Sequence, residues 1–298
     1  MYSLQDALTA IRYPGLVGTE LNKLYHRSLG DPRYNEEGID VFTEDWDVLV
    51  ILDACRYDMF AEVVGDDLGT RPLESRISRG SATKEWVEAN FTDRTLHDLV
   101  YVDSNAHYGR LKSGIDSDVF KYQLVENDEY GGTSVHPDKV TSAAVAAAEE
   151  YPHKRLLVHY MQPHHPFFGP SADRIEHKDS YLKTVKENGL DRESVRQLYR
   201  ENLEIVLESV RQLVEEVEGR IVISSDHGEM LGDREAPIPV VRYYHPARVH
   251  VPELVKVPWL VHDNDSRRRI YESNPESDEI GVDNDEIDQK LRDLGYST

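Results

Sequence analysis

The sequence predicts an α/β protein with a doubly wound, mostly parallel sheet flanked by helices, and two observations predict it. Short β-branched runs, each stopping at a polar residue, alternate with helical segments. The runs are apolar throughout rather than alternating, as in strands buried on both faces. In such sheets ligands sit beyond the carboxyl ends of the strands. The residues that end each strand are therefore the ones to read for chemistry.

The clearest strand is Asp47-Val-Leu-Val-Ile-Leu-Asp53. Further strands are expected at 99–102, 156–160, 221–224 and 258–262. Between them, 140–151 is Ala-rich and stops at Pro152. The best helix spans 191–218. Its Val195, Tyr199, Leu203, Val206, Val210, Leu213 and Val217 step by three and four along one face, and Gly219 ends it. Residues 103–138 are polar and irregular, with Gly131-Gly132, and read as an insertion or long loop. The expected division is a helical extension at 1–40, a catalytic domain at 41–265 and an acidic tail at 266–298. In the tail, 285–294 reads as a short helix or as part of a disordered segment.

Charge narrows the function. Asp and Glu number 56 against 34 Lys and Arg, a net charge of -22 over 298 residues. That field repels nucleic acid and anionic membranes. It repels anionic substrates too, so an enzyme for them needs a local positive centre, which a bound cation supplies. The acidic residues run along the whole chain, as in proteins kept soluble by surface carboxylates in a high-salt cytoplasm. Cys55 is the single cysteine, so no disulfide forms within the chain. Neither a secretory leader nor an apolar run near the ~20 residues of a membrane span is present. A halophilic, cytoplasmic protein is expected, with peripheral attachment to a membrane or partner left open.

Asp53 ends the first strand, either as a ligand facing the crevice or as an N-cap for a helix beginning near Ala54. Asp226-His227-Gly228-Glu229 ends the fourth. An adjacent carboxylate and imidazole suit a divalent cation, and Gly228 lets the backbone bend so that both converge. The Pro-rich stretch around His164-His165 is stiff enough to hold an imidazole against a substrate oxygen, or is a rigid surface loop. Ser81 stands where a loop enters a helix, as N-cap or as nucleophile, since helix-terminal N–H groups stabilise an anion there. Arg79 and Lys84 bring positive charge beside it. Arg56 binds an anion or pairs with Asp58. His245, His250 and Arg248 precede the last strand, each near the crevice or structural.

In this order the motifs resemble the sulfatase-like branch of the alkaline phosphatase superfamily, in a haloarchaeal form, from about Asp47 to Asp263. Three parts carry the resemblance: the strand ending in Asp53, Ile223-Ser-Ser-Asp-His-Gly-Glu229, and Leu254-Val-Lys-Val-Pro-Trp-Leu-Val261. It implies an alkaline phosphatase-like fold and a hydrolase or transferase of phosphate or sulfate esters, on a glycan or lipid head group. It places the nucleophile roughly 25 to 45 residues after the first Asp, at a helix start. Ser81 falls there, and Glu85-Trp86 after it is similar to the transferase pattern of Glu and an aromatic residue. The Pro and Arg of the sulfatase pattern are missing, which counts against true sulfatase chemistry. Thr83 is the second choice of nucleophile. The implied ligands of one divalent ion (Mn, Zn, Mg or Ca) are Asp53, Ser81, Asp226 and His227. His164 and His245 are implied as catalytic; Arg79, Lys84 and Arg56 are expected, from their own positions, to bind the substrate. The middle stretch 158–170 has no Asp to hold a second ion. A non-catalytic relative that binds a polyanionic glycan or a protein partner is the alternative.

Overall fold

The computed structural model describes residues 14–28, 34–126, 135–178, 180–264 and 266–275. Helix α1 (Pro14–Ser28) precedes β1 (Val48–Leu52), α2 (Tyr57–Val63), β2 (Glu74–Ile77) and α3 (Thr83–Phe91). Then come β3 (Thr95–Asp103), α4 (His107–Leu111), β4 (Asp118–Leu124), α5 (Pro137–Glu150) and β5 (Arg155–Tyr160). Helices α6 (Tyr181–Glu187) and α7 (Arg192–Glu216) lead to β6 (Arg220–Ser224). A hairpin of β7 (Asp233–Glu235) and β8 (Val240–Arg242), then α8 (Pro252–Val255), bring the chain to β9 (Lys256–Asp263).

The central sheet has the order β2-β9-β6-β1-β5-β3-β4. Strand β1 pairs in parallel with β5 on one side and β6 on the other. Strands β3 and β4 continue the parallel run, while β9 runs antiparallel to both β6 and β2. The apolar runs are buried on both faces as expected. Val48, Val50 and Leu52 pack in the layer that holds Val140 and Ala144 of α5 and Leu203, Val206 and Val210 of α7. Leu49 and Ile51 meet Trp86 and Phe91 of α3 on the other face. Each fully buried Leu or Ile contributes about 1.5–3 kcal/mol. The predicted α7 stripe is buried from Val195 to Val217. Asp191 caps α7 by accepting the Ser194 N–H at 2.8 Å. Gly219 sits just beyond, at φ +117°, where an added Cβ would stand 2.8 Å from Asp47 Cβ.

One expectation needs correction. Residues 103–138 are not one long loop, because α4 and β4 lie within them. Strand β4 is an edge strand that interleaves Asp118, Lys121 and Gln123 with apolar residues, so it lacks the continuous run that marks its neighbours. Gly131-Gly132 falls outside the described residues. In the segment assigned to the acidic tail, residues 266–275 carry three Arg and one Glu and dock at the amino-terminal end of the sheet. Arg267 reaches Asp47 at 2.6 Å and Asp45 at 2.7 Å, and Lys154 Nζ donates to the Tyr271 carbonyl at 2.8 Å. The helix expected at 285–294 and residues 1–13 and 29–33 of the extension lie outside the described residues. Among the described residues no helix is long and apolar enough to cross a membrane.

Candidate metal centre

Strands β1 and β6 are neighbours in register, Val48 opposite Ile221, so their carboxyl ends deliver Asp53 and Asp226-His227 to one place. Chain order departs from β1 in both directions here, the switch point where open α/β sheets bind ligands. Asp53, Asp226 and His227 bring three ligand atoms within 4.8 Å of one another, all buried. His227 Nε2 lies 3.2 Å from Asp226 Oδ2 and 3.8 Å from Asp53 Oδ1.

The surroundings orient each group. His227 Nδ1 donates to the Gly228 carbonyl at 2.8 Å, which leaves Nε2 with its lone pair turned inward. Asp226 Oδ1 accepts N–H groups from Ala54 at 3.0 Å and His227 at 2.9 Å. Asn105, beyond the end of β3, donates to Asp53 Oδ2. Asp53 Oδ1 and Asp226 Oδ2 remain, both buried with no hydrogen-bond partner among the described residues. Orphaned buried carboxylate oxygens cost several kcal/mol, about 1–3 each or more. A divalent cation would satisfy both, so the residues present fit one. Burial and the adjacent Asp226 charge push the Asp53 carboxyl well above its ordinary range. Burial also acts on Asp226, yet His227, His159 and the Ala54 N–H hold it below its ordinary value. Two carboxylates this close resist joint ionisation until a cation is added.

The two candidate hydroxyls separate. Ala82, not Ser81, is the N-cap of α3, and Thr83 is its first residue. Thr83 Oγ1 lies 3.2 Å from His227 Nε2, fully buried. Ser81 does not join the group. Its Oγ lies 2.9 Å from Glu85 Oε2 and 3.0 Å from the Pro246 carbonyl, and it accepts the Val249 N–H at 3.2 Å. Glu85 also takes the Ser81 N–H at 2.9 Å and is held by His250 Nε2 at 2.8 Å. Ser81 and His250 therefore tie the start of α3 to the 243–250 loop. Asp53 is no helix cap, since α2 is capped at Arg56.

All three cations expected at the substrate are engaged elsewhere. Arg56 forms a two-pronged pair with Asp58, 2.7 Å on each prong, and a further pair with Asp233. Arg79 reaches the Ala89 carbonyl at 3.1 Å and Asp40 at 3.4 Å. Lys84 points to solvent and pairs with Glu88 at 3.8 Å. Arg248 is likewise exposed. For Arg56, Arg79 and Lys84 a neighbouring carboxylate or carbonyl claims the charge, as an acidic chain makes common.

His164 and His245 do converge, together with Glu229, in a second group of ligand-type atoms within 4.8 Å. The His227 and His245 rings are 4.3 Å apart, so the two groups adjoin. Burial pushes His164 and His245 down to about 4 and Glu229 up to about 7. His245 is the least buried member, which makes the 243–250 loop the rim. Sequence reading passed over Asn105 and His159. His159 is on β5, wholly buried, its Nδ1 bonded to the Tyr101 hydroxyl at 2.9 Å and its Nε2 4.0 Å from Asp226 Oδ2. The strand-end rule applied to β3 would have found Asn105.

No protein-family model matches the chain, and no curated protein matches it. Among solved structures it is similar to the soluble domain of lipooligosaccharide phosphoethanolamine transferase A from Neisseria meningitidis, at 12% identity over 72% of this chain and 75% of that one, TM-score 0.48. It is similar to a 2-O GAG sulfatase, at 11% identity over 84% and 70% of the two chains, TM-score 0.43. A protein in the alkaline phosphatase superfamily from Vibrio parahaemolyticus matches at 13% identity over 94% and 75%, TM-score 0.41. The chemistry of this chain is read from its own side chains.

Proposed function

We propose that this protein is a metal-dependent hydrolase or transferase of phosphate or sulfate esters, with Thr83 as its nucleophile. The observation that carries the reading is the convergence of Thr83 Oγ1, His227 Nε2 and the two orphaned carboxylate oxygens of Asp53 and Asp226 in one buried place. Asp53, Asp226, His227 and Thr83 would hold a divalent cation. Such an ion, when bound, lowers the pKa of a hydroxyl beside it and offsets charge on transferring oxygens. Thr83 stands at the first position of α3, where free backbone N–H groups favour an anion. Its Oγ1 attacks phosphorus or sulfur as its proton passes to solvent. The bond to the ester oxygen breaks, and the group rests on Thr83 before passing to water or an acceptor hydroxyl. Asn105 fixes the orientation of Asp53, and His159 stands behind Asp226. His164, Glu229 and His245 would face the transferring group from the rim, where Glu229, its carboxyl raised to about 7 by burial, would give its proton to the departing oxygen.

A phosphate ester is favoured over a sulfate ester because the residues after Ser81 and Thr83 lack the Pro and Arg of the sulfatase pattern. The test is turnover of chromogenic phosphate monoester, phosphate diester and sulfate monoester in molar KCl, with Mn²⁺ or Zn²⁺ and after chelation. Turnover of a phosphate ester that chelator abolishes supports the reading. Turnover of the sulfate ester alone overturns the preference for phosphorus, and turnover indifferent to chelator overturns the metal.

A further inference from the structure

Helix α1 docks with its polar side and shows its apolar one. Gly18, Asn22 and His26 stand four residues apart and face the β7–β8 hairpin. Asn22 Nδ2 donates to the Ile238 carbonyl at 2.8 Å, and its Oδ1 accepts the Ile238 N–H at 2.9 Å. His26 Nε2 donates to the Ala236 carbonyl at 2.8 Å. A Cβ on Gly18 would stand 2.5 Å from Val240 Cγ2, so the helix lies close against β8 there. The apolar side chains look elsewhere. Val17, Leu21, Leu24 and Tyr25 are 40%, 48%, 54% and 45% exposed. Their steps of four, three and one make a stripe along the helix. Among the described residues seven large hydrophobic side chains are exposed, and four of them are on this one helix. Exposed apolar residues scattered singly are ordinary, but a contiguous patch marks an interaction surface.

We propose that α1 is an interfacial helix, which seats the protein on an anionic lipid surface through Val17, Leu21, Leu24 and Tyr25.

Charge selects the occupant. Residues 1–28 carry two acidic side chains and three basic ones, in a chain of net charge -22. The acidic excess therefore lies wholly after residue 28. An apolar stripe in a segment of basic balance is the composition of helices that lie in the head-group region of a bilayer. Tyr25 suits that depth, because its ring is apolar and its hydroxyl stays wet. A second copy would bring a segment of the same sign and an equally acidic body, so complementarity favours anionic head groups over self-pairing. The acidic remainder of the chain opposes approach from a distance. In molar KCl the screening length is about 3 Å, so that repulsion fades while apolar burial remains.

Position gives the seat a consequence. Strand β8, against which α1 lies, runs directly into the 243–250 loop at the rim of the candidate site. At most about 18 Å of extended chain separates Val240 from His245. Seating by α1 therefore holds that rim beside the lipid. The seat itself does not depend on the chemistry assigned to the site.

The test is flotation. The full chain is mixed with vesicles of phosphatidylglycerol and phosphatidylcholine in 1 M KCl and spun in a density gradient. Wild type is expected to float with the vesicles. The double variant Leu21→Glu, Leu24→Glu is expected to float at least ~10-fold less, because charges replace two apolar anchors. It should keep the wild-type melting temperature, since both positions are exposed. Should the pair not fold, Leu24→Ser, at the most exposed position of the stripe, reads the same surface. Wild type that stays off the vesicles overturns the proposal, as does a double variant that floats as well as wild type. Dimers that the double variant splits, with no flotation, would give the stripe to a second copy. Flotation only after residues 1–13 are removed would give it to those residues. Either result overturns the lipid seat. Flotation requires no ester to turn over, so it holds or fails apart from the reading of the site.

Discussion

Thr83 and Ser81 stand two residues apart at one helix start, and the site depends on which of them faces the carboxylates. Sequence fixes the neighbourhood of both hydroxyls but not the rotation of the first turn. Glu85, which drew attention to Ser81, turned out to be its structural partner. Thr83→Ala is expected to lower ester turnover by about 10³-fold or more, as loss of a nucleophile does. Ser81→Ala is expected to retain turnover but to lose about 1–3 kcal/mol of stability, because the buried Val249 N–H is left without its acceptor. Initial rates and thermal unfolding of both variants check this pair. Gly228 repeats the point. Sequence suggested a residue that lets the backbone bend. The structure shows instead that an added Cβ would lie 2.2 Å from the Glu253 carbonyl oxygen, under a 2.7 Å bond from Gly228 N to the Leu254 carbonyl. Gly228→Ala should therefore push the Asp226-His227 turn out of place and weaken Zn²⁺ binding at least ~10-fold, a range known for displaced supports of metal ligands. Calorimetric titration reads it.

At the level of elements, the strands buried on both faces were legible because each is a continuous apolar run, from Val48–Leu52 to Arg220–Ser224. Helix α7 was legible from its stripe. Strand β4 and the β7–β8 hairpin were not, because edge strands mix polar with apolar residues and short hairpins give too few residues for a period. The start of α3 is an element-scale device. Glu85 accepts from Ser81, Arg248 and His250, joining the helix to the rim loop. Burial raises its pKa, but His250 and the Ser81 N–H outweigh that and hold it below its ordinary 4.5. A depressed folded pKa means stability that is present above 4.5 and lost as pH falls through the lower, folded value. Glu85→Gln should cost about 1.5–3 kcal/mol at pH 7, the worth of hydrogen bonds to a charged group. The gap to wild type should narrow as pH drops below 4.5. Denaturant unfolding across that range checks the sign.

For the whole molecule, the negative field was the plainest feature of the sequence, and the fold shows where it is offset. Arg220 and Arg267 gather Asp45, Asp47 and Asp263 at the amino-terminal end of the sheet, opposite the candidate site. At the carboxyl end, carboxylates are left for cations to balance. Two dependences should follow. The melting temperature should rise from 0.1 M to 1 M KCl, as the screening length shrinks from about 10 Å to about 3 Å. Added Zn²⁺ should raise it further, by about 2.7 kcal/mol of stability at a hundredfold excess over Kd. The Asp226→Asn chain, which lacks one of the seat's carboxylates, should gain less.

The central claim is that Thr83 carries the transferred group, and the measurement closest to it is the mass of the quenched enzyme. Wild type is mixed with a phosphate ester that turns over, quenched in acid within a turnover, and digested with trypsin. Cleavage after Arg79 and Lys84 yields the peptide Gly80–Lys84, which contains both hydroxyls. Fragmentation of that peptide should place the phosphoryl adduct on Thr83, and no adduct should form in Thr83→Ala. An adduct on Ser81, or steady turnover by Thr83→Ala at the wild-type rate, would contradict the account.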